Sequence, residues 1–206
     1  MISPNKALTN AHVIYSNDHG GLATKVQVIP GKKGPTVLNN PFHSAYTTNI
    51  LYPTQYAAET SYNSNSIRYD WAVLKLDENI GNDCGWLNLQ AGGITIGVDG
   101  PDYHLSGYPV HNINYSNYSE FQSDYLDKHY SEYQFYSKGK ILSANLRYME
   151  HSIDMLPGQS GSPIYTYDNS GNVKVVAINA AEEPRYFVLN YAKAITNEII
   201  NTASSF

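Results

Sequence analysis

Short runs of β-branched and aromatic residues, separated by Gly, Pro, Asn and Asp, recur along the chain. Such runs predict β-strands, because branched and aromatic side chains fit a pleated surface and the residues between them favour turns. The clearest runs are KVQVI (25–29), WAVLKL (71–76), GITIGV (93–98), YHLSGY (103–108), SPIYTY (162–167), VKVVAINA (173–180) and RYFVLNY (185–191). This spacing predicts an all-β sandwich or a pair of barrels, with YDNSGN (167–172) as a hairpin turn.

The last stretch of the chain has a different periodicity. Apolar residues follow Asn190 at near-helical spacing, at Ala192, Ile195, Ile199 and Ile200. This pattern predicts a C-terminal helix that begins at an Asn190 cap. A Gly-rich segment at 89–101 predicts a boundary between two β domains, residues 1–96 and residues 97–206.

Composition narrows the classes of partner. The 206-residue chain has a formal net charge of −5, so it offers no basic field for nucleic acid or for an anionic membrane. A single cysteine excludes an internal disulfide and a zinc cage built from cysteines. No apolar run reaches the roughly 20 residues that span a bilayer, and no export signal precedes the first strand. Tyrosine is abundant around 112–136, which indicates half-exposed β structure or, alternatively, a carbohydrate-binding surface.

The sharpest chemical signal is LPGQSGSPIY (156–165), in which Ser160 lies between Gly158 and Gly161. A nucleophilic serine needs neighbours without bulky side chains. Glycine lets the chain turn so that the N–H groups of Gly158 and Ser160 converge on the oxygen that becomes anionic during acyl transfer. A tight Gly/Ser turn between strands is the structural alternative. The segment is not the G-x-S-x-G elbow of α/β-hydrolases, since Ser162 occupies the position of the second glycine.

Two further segments supply the partners that an activated serine requires. ISPNKALTNAHVI (2–14) presents His12 after an apolar strand, and YDWAVLKL (69–76) places Asp70 at the start of another. Imidazole can take and return the serine proton near neutral pH, and a carboxylate can fix its tautomer. Each residue alone would be an ordinary turn residue. Their order along the chain, with Ser160 last, is the order found on the chymotrypsin fold.

LTNAHV (8–13), YDWAVLKL (69–76) and PGQSGSPIY (157–165) resemble the His, Asp and Ser blocks of the bacterial V8-like glutamyl endopeptidases. These enzymes are trypsin-like serine proteases of the chymotrypsin fold. The resemblance implies two six-stranded Greek-key β-barrels with a C-terminal helix, the first barrel carrying His and Asp and the second carrying Ser. The first barrel of this chain lacks the N-terminal strands of that pattern.

The resemblance also implies the role of each site residue. Ser160 is the nucleophile, His12 the general base and acid, and Asp70 the orienting carboxylate, while the amides of Gly158 and Ser160 form the oxyanion hole. The expected activity is hydrolysis of peptide bonds through an acyl-enzyme on Ser160, with no metal or organic cofactor. The expected protein is a secreted monomer that acts on protein or peptide, without a nucleic-acid or membrane partner.

The substrate pocket departs from the family pattern. Glutamate-specific members read the substrate carboxylate with a Thr or Ser five residues before the nucleophile and with a His on a pocket strand. This chain places Met155 at the first position, and Ile178 with the adjoining Asn179 on the strand. Such a pocket favours an apolar side chain. Asp154, six residues before Ser160, offers cleavage after Lys or Arg as the alternative.

The start of the chain departs as well, since Met1 stands directly before the histidine block. Absent strands would leave an unpaired sheet edge, which indicates an internal start or a shortened relative. Two rival functions stay open. One is a catalytically silent, protease-like binding protein or truncated inactive form, and the other is an esterase that uses the same triad.

Overall fold

The computed structural model describes residues 1–34, 40–59, 63–109, 133–145, 148–182 and 189–206. Most of the Tyr-rich segment therefore lies outside the described residues. The strands are β1 (Lys6–Thr9), β2 (Tyr15–Ser16), β3 (Gly21–Leu22), β4 (Val26–Val28), β5 (Ala45–Thr47), β6 (Asn49–Leu51), β7 (Ala72–Lys75), β8 (Asn88–Leu89), β9 (Tyr103–Gly107), β10 (Phe135–Gly139), β11 (Ile141–Ala144), β12 (Met149–His151), β13 (Pro163–Tyr167), β14 (Val173–Glu182) and β15 (Asn190–Ala194). Short helices are α1 (Ala11–Ile14), α2 (Thr54–Ala57), α3 (Ser64–Tyr69) and α4 (Gly81–Cys84), with a 3₁₀ turn at Asn17–His19 and a C-terminal helix at Asn197–Ser205. The all-β prediction and the C-terminal helix are confirmed.

The N-terminal half places its strands in three small sheets. β7 lies between β1 and β6, antiparallel to both, while β2 pairs with β3 and β4 with β5. The apolar side chains of these elements enclose a core that includes Ile14, Leu74 and Ile80. Because WAVLKL alternates between this core and the opposite face, β7 is buried on both sides.

The C-terminal half forms one curled sheet in the order β10-β9-β13-β14-β15-β12-β11. The short strand β8 adds to it by parallel pairing with β14. Tyr103, Leu105, Ile141 and Met149 are among the fully buried residues of its core. β13 and β14 form the hairpin predicted at 167–172, and Asp168 Oδ1 accepts the Ser170 and Asn172 N–H groups at 2.9 Å each, an Asx-type turn.

Two elements differ from the sequence-based predictions. GITIGV (93–98) forms no strand, because Gly93 and Gly97 adopt positive φ angles of 70° and 110°, which break an extended ladder. The final helix begins after the predicted cap, since Asn190–Ala194 is strand β15. The side chain of Thr196 caps the helix instead and accepts the Ile199 N–H at 3.3 Å.

A third apolar cluster joins the two halves. Trp71 and Val73 of the N-terminal half are buried against Val175 and Ile178 of β14. The residues that complete the cluster come from the C-terminal end of the chain: Ile195, Ile199 and Ala203. The two halves therefore share a buried interface, and the functional residues lie around it. The domain division near residue 96 stays a prediction.

Candidate active site

Asp70 is fully buried at the end of helix α3. A capping box fixes the start of that helix, in which the Asn63 side chain accepts backbone N–H groups and the Ser66 hydroxyl accepts the Asn63 N–H. Asp70 follows the last helical turn, donating its own N–H to Ile67, and the chain then enters β7. The carboxylate is thus held at a fixed point between a capped helix and a buried strand.

His12 lies on the short helix α1, directly after β1, and it meets this carboxylate twice. Its backbone N–H donates to Asp70 Oδ1 at 2.9 Å, and Nδ1 lies 2.7 Å from Asp70 Oδ2. The carboxylate accepts the Nδ1–H, so the neutral tautomer has its lone pair on Nε2. About 26% of the His12 side chain is exposed while the Asp70 side chain is fully buried, so the ring can reach substrate while its partner is shielded from water.

Ser160 lies in a turn that carries a glycine on either side. Gly158 and Gly161 adopt φ angles of 92° and 80°, in the left-handed region. A Cβ on Gly161 would also overlap Thr9 Oγ1, so this residue must be glycine for steric reasons. Gln159, which is buried, closes the turn because its side-chain Oε1 accepts the Leu156 N–H at 2.7 Å.

Two backbone donors in this turn are without protein acceptors. Among the described residues, neither the Gly158 N–H nor the Ser160 N–H donates a hydrogen bond to the protein. Gly158 is exposed and Ser160 is half-buried, so both N–H groups are open to an incoming oxygen beside the serine hydroxyl. The Ser160 hydroxyl itself donates to the Ala180 carbonyl at 3.3 Å.

A cavity of about 480 Å³ opens beside His12. It reaches Ala180, the residue whose carbonyl accepts the Ser160 hydroxyl, so Ser160 is bonded to a residue of the cavity that His12 lines. Its lining residues are His12, Tyr15, Ser16, Asn17, Asp18, Tyr56, Glu59, Ser66, Ala180 and Ala181. Burial, and then the nearby Asp70 charge, raise the pKa of Tyr56, so its phenol stays protonated. Apart from His12, sequence reasoning did not identify this lining, because its residues come from several short elements far apart in sequence and share no chemical motif.

The four residues predicted for the substrate pocket occupy different environments. The Asp154 side chain is exposed, and Met155 is half-buried. Ile178 belongs to the apolar cluster between the halves, so it does not face the serine turn. Asn179, on the opposite face of β14, donates from Nδ2 to the Gln159 carbonyl at 3.1 Å. Of these four, Asn179 is directly bonded to the turn that carries Ser160.

His151 is an imidazole on strand β12, in the interior of the C-terminal half. It has no exposed surface, neither ring nitrogen has a hydrogen-bond partner, and the ring lies beside the Asn179 side chain. Burial lowers its pKa to about 4, so the ring is neutral at physiological pH. Within the described ranges, no group of three or more His, Cys, Asp or Glu side chains could hold a metal ion, and no helix is long and apolar enough to cross a membrane.

Comparisons with known proteins bear on the family and the fold of this chain. A family model described as Trypsin matches residues 1–193. A glutamyl endopeptidase of Bacillus licheniformis is 26% identical over 170 residues, 82% of this chain and 45% of that protein. An extracellular metalloprotease of Bacillus subtilis is 25% identical over 202 residues, 98% of this chain and 55% of that protein. The chain thus spans about half the length of the curated relatives it matches.

Solved structures give the same result for the fold. A Glu endopeptidase in complex with MPD superimposes with a TM-score of 0.73 at 26% identity, covering 100% of this chain and 84% of that one. The protease Anisep from Arthrobacter nicotinovorans superimposes with a TM-score of 0.70 at 17% identity, covering 99% of this chain and 85% of that one, and it shows the fold alone.

Proposed function

This chain belongs to the trypsin family, and we propose that it is a serine endopeptidase that cleaves peptide bonds through an acyl-enzyme on Ser160. The observation that carries the proposal is the His12–Asp70 pair, joined at 2.7 Å, together with a Ser160 hydroxyl bonded to Ala180, which lines the same cavity as His12. The Ser160 hydroxyl supplies the nucleophile, and the two unpaired N–H groups supply the anion site.

In the proposed reaction the Ser160 oxygen attacks the peptide carbonyl while His12 Nε2 takes the hydroxyl proton. The hydroxyl leaves its present acceptor, the Ala180 carbonyl, to do so. Asp70 stabilises the imidazolium that forms, because its carboxylate is buried and already bonded to Nδ1. His12 then gives the proton to the leaving amine, and water attacks the ester by the reverse sequence, freeing Ser160.

The negative charge of the tetrahedral intermediate falls on the former carbonyl oxygen. The Gly158 and Ser160 N–H groups are proposed to donate to it, and the positive φ of Gly158 supports this role by turning its peptide within the loop. Removing one such donor in other acyl-transfer enzymes costs roughly 10²–10³-fold in kcat. Every role in the reaction is thus filled by a side chain or a backbone group of this chain.

For the substrate, we propose a protein or peptide whose residue before the scissile bond is uncharged. Met155 is half-buried, and Asn179 is neutral and bonded to the serine turn. Recognition of a Lys or Arg side chain would need a buried acid in the pocket, whereas the Asp154 side chain is exposed. A peptide library tests this directly, since preferential cleavage after Glu, Lys or Arg would contradict an uncharged pocket.

The likeness to a protein named extracellular supports secretion as the proposed location. A monomer without nucleic-acid or membrane partners remains our expectation. The net charge of −5 supports the absence of a nucleic-acid partner. Fractionation of the producing culture into cells and medium tests the location, and gel filtration tests the oligomeric state.

The decisive experiment is labelling with a fluorophosphonate, read out by intact mass. The reagent forms a stable adduct only with an activated serine, so we expect one adduct on the wild type and none on Ser160→Ala. Ser162→Ala is the matched control, since it removes a neighbouring hydroxyl and should keep the adduct. A folded wild type without an adduct would contradict the proposal and favour the silent binding protein. An adduct with ester turnover but no peptide cleavage would favour the esterase.

A further inference from the structure

Asn10 is a buried side chain that links the two halves of the site. It has no exposed surface and precedes helix α1. Its Nδ2 donates to the Asp70 carbonyl at 2.8 Å, and its Oδ1 accepts the Gly161 N–H at 2.5 Å. One carboxamide therefore touches both the residue that holds His12 and the residue that follows Ser160.

The Gly161 N–H that donates to Asn10 has a second acceptor. The Gly161 N–H also lies 2.9 Å from the Asn179 carbonyl on β14. This donor is thus shared between the N-terminal half, through Asn10, and the C-terminal half, through Asn179. Within the part of the chain that the structure describes, loss of the Asn10 acceptor would leave the serine turn bonded to β14 and without a hydrogen bond to the His12 side.

The environment makes this link rigid. Asn10, Asp70 and Gln159 are all buried, and hydrogen bonds in a low-dielectric interior are stronger than in water. Gly161 also packs against Thr9, the residue before Asn10, so the turn approaches the end of β1 closely. Small shifts here move Ser160 relative to His12, because Gly161 and Asn10 are their near neighbours in sequence.

We propose that Asn10 is a positioning residue that sets the distance between the Ser160 hydroxyl and His12 Nε2. The inference rests on the proposed function, since it concerns the proton transfer between these two groups. A misplacement of about 1 Å costs on the order of 10²-fold in rate even when substrate binding is unaffected. Asn10 touches neither substrate nor the reacting atoms, so its loss should lower kcat and leave KM nearly unchanged.

The test compares Asn10→Ala and Asn10→Asp with the wild type in fluorophosphonate labelling rate, kcat and KM. Asn10→Ala removes both bonds, whereas Asn10→Asp keeps an acceptor for Gly161 but places a carboxylate oxygen against the Asp70 carbonyl. We expect both to lower the labelling rate and kcat roughly 10²-fold, with KM within about twofold. Asn10→Asp keeps the size of the side chain and serves if the alanine variant does not fold.

Thr47→Val is the control for stability alone. Thr47 is buried in the N-terminal half and donates to backbone carbonyls of Asn49 and Lys75, away from the triad. Its loss should lower the melting temperature without lowering kcat. Peptide binding gives a second control, because damage to the fold would weaken it. We expect the Ser160→Ala protein to bind a peptide with the same Kd with and without Asn10→Ala.

The outcomes separate the two proposals. An active wild type with a folded Asn10 variant that keeps kcat within twofold overturns the positioning role and leaves the protease assignment intact. A matching loss of kcat in Thr47→Val, or a weakened Kd in Asn10→Ala, also overturns it, because general damage to the fold would then explain the result. An inactive folded wild type overturns the proposed function and this inference with it.

Discussion

His151 makes the stability of the folded protein depend on pH. The buried ring has a pKa of about 4 in the folded chain against 6.5 when unfolded, because burial disfavours its charged form. Below pH 6.5 the unfolded chain binds a proton here that the folded chain does not bind, so stability falls as the pH drops. The gap between the two pKa values corresponds to about 3 kcal/mol, lost progressively between about pH 6.5 and pH 4.

Substitution of His151 by Leu isolates this contribution. Leucine occupies a similar volume and cannot be protonated, and the polar groups of Asn179, Tyr191 and Ile153 near the ring make no hydrogen bond of normal geometry with it. We therefore expect His151→Leu to lie within about 1 kcal/mol of the wild type at pH 8, and to exceed it by about 3 kcal/mol near pH 4. Most other groups titrate equally in both chains and cancel in the difference.

Urea unfolding at several pH values between 8 and 4 measures this difference, with Ser160→Ala in both chains to prevent self-digestion. Carboxylates near the surface affect the stability of the protein at lower pH. The Asp102 pKa is lowered to about 2 by its bonds to Lys140 and Lys138, so its contribution is lost mainly below pH 4. A wild-type minus variant difference that does not change with pH would refute the assignment of the acid sensitivity to His151.

Three other predictions test individual contacts. Asp70→Asn should lower kcat by roughly 10⁴-fold at neutral pH with little change in fold, because the amide favours the wrong histidine tautomer; steady-state kinetics and circular dichroism measure this. Gly161→Ala should lower the melting temperature more than Gly171→Ala, since both glycines have φ of 80° but only the first would overlap Thr9; equal losses would show that the overlap is relieved. Ile178→Ala should destabilise the protein by about 2–5 kcal/mol in urea unfolding without altering cleavage preference, whereas a changed preference would return this residue to the pocket.

The His12–Asp70 pairing could be predicted because each residue lies in a short segment with a local signal. Asn10 could not, although it stands two residues before His12. Its partners lie 60 and 151 residues away in sequence. A buried asparagine has no apolar periodicity and no motif of its own, so its role becomes visible only when the two halves are folded together.

Ile178 and residues 190–194 show where the pattern of apolar residues fails to predict the structure. The pairing of β13 with β14 shifts by one residue between Ile164 and Tyr165, so the side chains of β14 do not alternate regularly between the two faces from Val173 to Ile178. Residues 190–194 carry apolar positions compatible with a helix, but they pair with β12 and β14 instead. In both cases, hydrogen bonding to strands distant in sequence determined the structure: the direction of the Ile178 side chain and the strand conformation of residues 190–194.

The apolar cluster between the halves has a consequence for biosynthesis. Ile195, Ile199 and Ala203 follow every proposed catalytic residue in sequence, yet they complete the interface that holds Trp71 and β14 together. Because synthesis runs from the N-terminus, Trp71 and β14 are made before these residues, so the interface can close only after they have been added.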